Sequence, residues 1–284
     1  MAPVIIRDPA SMSAWSESCR RSDQRIAFVP TMGALHEGHV SLLREGRRRG
    51  DKLVLSIFVN PTQFGPNEDL SRYPRDLDGD LAQAASAGTD VTYLPDAAAV
   101  YAPGHQTFIE VRELSQGLCG QHRPGHFIGV ATVVAKLFNV VRPHLALFGE
   151  KDFQQLAVIR RMVLDLDMPV EIAGMPIVRE LDGLAMSSRN RYLSPEERQR
   201  ALSLSRALGA ARARAAVGER NAAALIAAAR STLEGQVDAI DYVELRAADT
   251  LAPLSTVDRP AVLLIAAFVG RTRLIDNERV SPSP

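Results

Sequence analysis

The sequence predicts an α/β chain in which a doubly wound parallel sheet is followed by a smaller C-terminal α+β domain. Three observations predict it. Short apolar runs at Ile26 to Val29, Leu53 to Val59, Val91 to Leu94, His144 to Phe148 and Val170 to Ala173 alternate with helical stretches. The Leu53 run is nearly continuous in apolar residues, as a parallel strand covered on both faces is. Beyond Tyr192 the alternation stops, and an Ala- and Arg-rich region precedes three late strand-like runs. Strand, loop, helix, strand repeated in this way reads as a Rossmann-like sheet with a separate C-terminal unit.

Taken in order, the run at Ile26 to Val29 ends at Pro30, and a Gly-bearing loop leads to a helix from about His39 to Arg49. With the Leu53 strand these make one βαβ unit. A helix from Asp76 to Ala87 and the Val91 strand repeat it. Val130, Val133, Val134, Leu137, Phe138 and Val141 keep three-four spacing, so a helix with one apolar stripe is expected there, with Lys136 off the stripe. The His144 strand, a Gly149 to Asp152 loop, a Phe153 to Leu166 helix and the Val170 strand complete the series. The character changes near Pro176, which divides the chain into domains 1–176 and 177–284. The second opens with Ser194 as helix N-cap, Pro195 at N1 and Glu197 at N3. The Ala-rich helices read as scaffold. Val243 to Leu245, Ala261 to Val269 and Thr272 to Ile275 read as a small antiparallel sheet.

At 284 residues the chain is long enough to bury a sizeable core, and its 46% hydrophobic and 23% charged content is that of a globular protein. Lys plus Arg and Asp plus Glu both number 33, so no overall basic field is available to hold phosphate backbones, and nucleic acid is not expected as a main partner. No stretch reaches membrane-spanning length and no leader-type apolar segment occurs near Met1 to Ala10, which leads to the expectation of a cytoplasmic protein. Cys19 and Cys119 lack metal or redox spacing. Lysine occurs only at Lys52, Lys136 and Lys151, against a background of arginine, so a lysine kept in a loop invites a chemical reason.

Three segments carry chemistry. Pro30-Thr31-Met32-Gly33-Ala34-Leu35-His36-Glu37-Gly38-His39 lies between a strand and a helix. Ligands bind beyond the carboxyl ends of strands in open sheets, and helix N-termini favour anions. Gly33 and Gly38 permit close backbone approach, while His36 and His39 share one helix face and can donate to phosphate oxygens. Gly149-Glu150-Lys151-Asp152 also follows a strand, so it should open on the same sheet edge, with Lys151 as a mobile cation. Met186-Ser187-Ser188-Arg189-Asn190 supplies hydroxyls and a guanidinium that could cover charge developing on a departing phosphate. Each has a structural alternative: a core or surface histidine, a solvated capping turn, an ordinary polar turn. Asn60 and Gln63, after the second strand, and Gln155 could grip a small carboxylate; loop capping and helix surface are their alternatives. Arg123 and His126, expected just before the Val130 helix, are anion donors or a solvent-facing turn.

A His-x-Gly-His loop with a late Ser-Ser-Arg loop resembles the nucleotidyl-transferase superfamily. The fuller set resembles the pantothenate synthetase family: Pro30 to His39, Phe58-Val59-Asn60-Pro61-Thr62-Gln63-Phe64-Gly65, Tyr73-Pro74-Arg75, Gly149 to Gln155 and Asp182 to Asn190. The likeness is dense from Phe28 to Leu193, with a thinner echo at Thr272 to Asn277. It implies that ATP is held by Met32, Gly33, Ala34, Leu35, His36, Glu37, Gly38 and His39, by Gly149, Glu150, Lys151 and Asp152, by Val178, and by Met186, Ser187, Ser188 and Arg189. It also implies that Gln63 and Gln155 hold pantoate with Asn60 nearby, that His39 is the main catalytic histidine, and that Mg²⁺ accompanies ATP in a homodimer. Domain 1–176 is then the ATP- and pantoate-binding domain and 177–284 a lid.

The expected reaction joins pantoate to β-alanine through a pantoyl adenylate, with His36, His39, Lys151, Ser188 and Arg189 acting by positioning and electrostatics. Two other readings are a nucleotidyl-transferase acting on another acid or on tRNA, and a nucleotide-binding regulator without turnover. Zero net charge weighs against tRNA, and the intact Lys151, Gln155 and Ser187 to Arg189 weigh against a mere binder.

Overall fold

Parallel pairing begins with β1 (Val4–Ile6) in the computed structural model, which describes residues 2–66 and 68–281. There follow α1 (Pro9–Arg21), β2 (Ile26–Thr31), α2 (Glu37–Arg49), β3 (Lys52–Ile57), α3 (Leu77–Ser86), β4 (Val91–Tyr93) and the short α4 (Ala97–Val100) and α5 (Leu118–His122). Next come α6 (His126–Val141), β5 (Leu145–Gly149), α7 (Phe153–Asp165) and β6 (Glu171–Met175). The C-terminal region holds α8 (Pro195–Ala216), α9 (Ala222–Leu233), β7 (Ala239–Ala247), β8 (Ala261–Val269) and β9 (Thr272–Val280).

Two units result. The first holds the chain up to Ser115 together with Arg123–Glu150 and Val158–Pro176; the second holds Gln116–His122, Lys151–Ala157 and the chain from Ile177 onward.

In the first unit six parallel strands lie in the order β1-β4-β3-β2-β5-β6. Ala27, Val29, Leu53, Leu55, Leu145 and Leu147 cluster with Val40 and Leu43 of α2 and Ala84 of α3. Alternate residues of a strand point to opposite faces, so Phe28 turns the other way and meets Phe138 of α6 edge-on, ring centroids 6.3 Å apart. On that face α1 packs beside α6. Truncating a core leucine such as fully buried Leu43 to Ala costs about 2–5 kcal/mol. The chain walks from β2 through β3 toward one edge and places β5 on the other side of β2. The order of strands therefore reverses between β2 and β5, where ligand crevices form in such sheets.

In the second unit β7, β8 and β9 form an antiparallel sheet, with α8 and α9 packed against it around Leu204, Leu208, Leu225, Leu263 and Ile265. The start of α8 is the reciprocal cap read from the sequence. Ser194 Oγ accepts from the Glu197 N–H at 3.1 Å and Glu197 Oε2 accepts from the Ser194 N–H at 2.8 Å.

Several boundaries differ from the sequence reading. β2 continues through Pro30 to Thr31, because its pairing with β5 covers Ala27 and Phe28, so the missing N–H of Pro30 leaves no ladder bond broken there. α2 starts at Glu37 rather than His39, with His36 as its extended cap residue. α6 starts at His126, so that histidine is a buried helical residue and no solvent-facing turn, and α6 is buried on nearly every side rather than along one stripe. Residues Glu150–Asp152 form a 3-10 turn, and β7 and β9 run longer than expected while β8 spans Ala261–Val269 as read.

Candidate active site

The loop after β2 is built by a buried carboxylate that sequence reasoning missed. Gly33 and Ala34 both take positive φ, +82° and +50°. In this conformation their successors' backbone donors point inward: the Ala34 and Leu35 N–H groups donate to Asp80 Oδ2 and Oδ1 at 2.9 and 2.6 Å. Asp80, on α3, is 2% exposed. A Cβ on Gly33 would stand 2.9 Å from Asp80 Oδ2, so this position needs glycine for space as well as for φ. Thr31 Oγ1 donates to the Ser56 carbonyl at 2.8 Å and accepts from the Gly33 N–H at 3.2 Å, which fixes the loop's exit from the sheet.

His36 and His39 follow, their rings 4.1 Å apart and inclined by 31°. Both are half-buried at the first turn of α2, where the helix dipole favours an anion. Glu37 is exposed and paired with Arg44. Val29 and Thr31 of β2 run in the same direction as β5, with Ala27 beside Leu145. Both strands are parallel and paired at Ala27↔Leu145 and Phe28↔Ala146, so the Met32 loop and the Gly149-Glu150 turn leave the same edge of the sheet.

The organic-acid candidates in the first unit form a single hydrogen-bonded group. Asn60, 1% exposed, donates from Nδ2 to Gln63 Oε1 at 3.0 Å and to the Gly129 carbonyl at 3.1 Å. Its Oδ1 accepts from the Thr62 N–H, capping a 3-10 turn over Pro61–Gln63. Gln63 Nε2 then lies 3.2 Å from Met32 Sδ. The amide expected to hold the acid therefore abuts the loop expected to hold the nucleotide. Arg123 is neutralised: its guanidinium pairs with Glu68 through two bonds of 2.8 and 2.6 Å, and it touches His126 Nε2 at 3.0 Å. His126 Nδ1 lies 2.8 Å from the Gln63 carbonyl. A carbonyl can only accept, so Nδ1 carries the proton in that contact and Nε2 receives the Arg123 donor. Burial raises the Glu68 carboxyl, and the Arg123 partner outweighs it, leaving Glu68 below the usual carboxylate range. Arg123 and His126 thus brace the Gln63 loop.

The second unit carries Lys151, Asp152, Gln155, Val178, Met186, Ser187, Ser188 and Arg189. Residues 178–186 form a narrow hairpin in which the Met186 N–H donates to the Val178 carbonyl at 3.0 Å, with Gly183 at φ +94° in its turn. Arg179 grips buried Asp276 of β9 through bonds of 2.7 and 3.0 Å. The next residue of β9, Asn277, donates from Nδ2 to the Lys151 carbonyl at 3.0 Å. Two consecutive residues of one strand therefore brace both the Lys151 turn and the hairpin that leads into Ser187. Ser187 caps a 3-10 turn by accepting from the Arg189 N–H at 3.3 Å, Ser188 is buried, and Arg189 is half-buried. Asn190 ties the turn back to Glu180 at 2.7 Å. Gln155 is half-buried in the first turn of α7, and Gln154 instead serves the fold by accepting from the Cys119 N–H at 2.9 Å. Among the described residues no three His, Cys, Asp or Glu side chains converge to cage a metal ion. Glu150 and Asp152 flank Lys151 and are the carboxylates of that turn.

A family model described as Pantoate-beta-alanine ligase matches residues 4–279. The chain belongs to the pantoate-beta-alanine ligase family. Among its relatives, a pantothenate synthetase of Anaeromyxobacter dehalogenans is 61% identical over 98% of this chain and 99% of that protein. One from Myxococcus xanthus is 59% identical over 98% and 96%. A crystal structure of pantothenate synthetase from Thermus thermophilus superposes with a TM-score of 0.93 at 45% identity, covering 98% of this chain and 100% of that one. The pantoate-beta-alanine ligase of Francisella tularensis, solved with beta-gamma ATP and beta-alanine, gives 0.81 at 34% identity over 98% and 97%. Membership in this ligase family agrees with the α/β fold and the enzyme class expected from the sequence, and the parallel sheet with its small antiparallel companion is the architecture the ligase motifs implied.

Asp80 and Glu68 support this ligase's motifs without belonging to them, and Asp276 and Asn277 do so from within the thinner C-terminal echo. Asp80 had a readable signal: with Ala84 and Ala87 it falls at i, i+4, i+7, a carboxylate in the inward stripe of α3.

Proposed function

We propose that this chain condenses pantoate with β-alanine in an ATP-dependent reaction through a pantoyl adenylate. The observation that carries the reading is the 3.2 Å approach of Gln63 Nε2 to Met32, which sets an acid-gripping amide beside a loop that ends at a helix N-terminus. A carboxylate oxygen attacks the α-phosphorus, the bond to the β-phosphate oxygen breaks, and pyrophosphate leaves. The β-alanine amine then attacks the acyl carbon and AMP departs with the acyl-oxygen bond.

Attack of an anion on a polyanion is slow unless charge is neutralised and the reactants are aligned. His36 and His39 donate to phosphate oxygens beside the positive end of α2, and Met32 to Leu35, with Glu37 and Gly38, supply backbone contacts to the nucleotide. Gly149, Glu150, Lys151 and Asp152, with Val178, Met186, Ser187, Ser188 and Arg189, complete the ATP contacts; Lys151 and Arg189 supply positive charge and Ser188 a hydroxyl. Gln63 and Gln155 hold pantoate. Glu150 or Asp152 would hold a Mg²⁺ that accompanies ATP, a hard cation that would keep most of its waters and supply neutralisation of phosphate charge. The family likeness supports a cytoplasmic homodimer, and sedimentation velocity would test the dimer.

The test is a pyrophosphate assay. Pyrophosphate should form with ATP and pantoate before β-alanine is added, and AMP only when all three are present. Pyrophosphate release that waits for β-alanine would reject the adenylate order. His39→Ala should suppress the first step, and normal release by that variant would remove His39 from the mechanism.

A further inference from the structure

Gln63 can present either end of its amide to a ligand, and its surroundings choose one. The choice begins at two backbone groups whose roles are unambiguous. The Thr62 N–H can only donate, so the Asn60 atom facing it is Oδ1; the Gly129 carbonyl can only accept, so the Asn60 atom facing it is Nδ2. The second hydrogen on Asn60 Nδ2 meets Gln63 at 3.0 Å, which makes that atom Oε1. Gln63 is left with Nε2 toward Met32, an N–H donor on the side of the nucleotide loop. The acid subsite therefore offers its ligand a donor and selects an acceptor oxygen.

Asn60 is itself held from behind. The Tyr101 hydroxyl donates to Asn60 Oδ1 at 2.9 Å and lies 3.0 Å from Thr62 Oγ1. The ring is set against Phe58 and His105, with the Lys136 ammonium 6.0 Å from its centroid. Burial holds the phenol above its ordinary range, so it remains a protonated donor at any working pH.

We infer that Tyr101 is a positioning residue for the organic-acid subsite, acting through Asn60 to lock the Gln63 amide with its N–H toward the ligand. This rests on the reading that Gln63 holds pantoate. Without the hydroxyl, Asn60 Oδ1 loses its shortest donor and keeps only the Thr62 N–H and hydroxyl at 3.4 and 3.0 Å, so the Asn60 amide is held less firmly and the Gln63 amide presents its N–H to the ligand less of the time.

The experiment compares wild type, Tyr101→Phe, Gln63→Ala and the double variant in steady-state assays, with thermal melts alongside. Loss of one neutral hydrogen bond predicts a rise in the KM for pantoate of about three- to tenfold in Tyr101→Phe. The KM for ATP and the melting temperature should stay at their wild-type values, and the double variant should match Gln63→Ala. A Tyr101→Phe enzyme with wild-type pantoate KM overturns the inference, as does an equal rise in both KM values with a lowered melting point. If Gln63→Ala raises the pantoate KM while Tyr101→Phe does not, only Tyr101 loses its role. If Gln63→Ala leaves the pantoate KM unchanged, the assignment of Gln63 fails and the relay falls with it.

Discussion

Replacing Asp80 by Ala removes the group on which the nucleotide loop is folded. The carboxylate accepts two backbone N–H groups at 2.9 and 2.6 Å and is 2% exposed, so both donors would be left without it in a dry site. A buried donor deprived of its acceptor costs about 1–3 kcal/mol, which sets the loss at about 2–6 kcal/mol for the pair, less if a water enters the space. Ala34 sits at φ +50°, a conformation that itself costs about 1–2 kcal/mol for an L-residue and that these bonds maintain. The loop should relax toward negative φ and carry His36 and His39 away from their places. Urea unfolding of Asp80→Ala should show a lowered midpoint, and steady-state assays should show a raised KM for ATP. Asp80→Asn keeps one acceptor and turns a donor toward the other N–H, so about half the effect remains. An Asp80→Ala protein with the wild-type midpoint and the wild-type KM for ATP would show that the loop holds its shape without the carboxylate.

Other substitutions test the supporting contacts. Gly129→Ala would put a methyl 2.5 Å from the Thr62 carbonyl oxygen, a backbone atom, so the 60–63 turn must shift; the KM for pantoate should rise in the same assay while that for ATP changes little. Arg179→Ala leaves Asp276 a buried carboxylate without its bidentate partner, and urea unfolding should report a loss of about 3–5 kcal/mol. His144 gives a pH dependence. Its Nδ1 accepts the Ile26 N–H at 3.0 Å, and burial, then Arg20 and Arg25, holds its pKa below 6.5. The unfolded chain takes up the proton first as pH falls, so stability is fully present above about 6.5 and declines below it until the folded imidazole also protonates. Unfolding measured from pH 7.5 to 5 should show that decline, and His144→Gln should flatten it.

The inner strands β2, β3, β4 and β5 were legible because they are buried on both faces and write themselves as apolar runs. The caps at Ser194, Pro195 and Glu197 were legible because their bonds are local. β1 was missed because three residues carry no period, and two of them, Val4 and Ile5, are exposed. α1 was missed because its inward stripe is Met12, Ser16 and Cys19, whose middle member is polar. At the site, the motif residues could be named from the chain, whereas the pairings that support them could not. Asp80 lies 45 residues from Leu35, Tyr101 41 from Asn60, and Asn277 126 from Lys151. Such pairings depend on register and helix packing, which no local pattern encodes. Arg123 illustrates the converse: it read as an anion donor or a solvent-facing turn, and only the folded chain reveals Glu68 beside it.

Asp276 and Asn277 are neighbours on β9, near the C-terminal end of the chain, yet one steadies the hairpin before Ser187 and the other the Lys151 turn. A cation and a hydroxyl-guanidinium pair drawn from segments far apart in sequence thus share one mechanical mooring. Loosening that strand would disturb both segments together, so one substitution there reaches the Lys151 turn and the Ser187 hairpin at once.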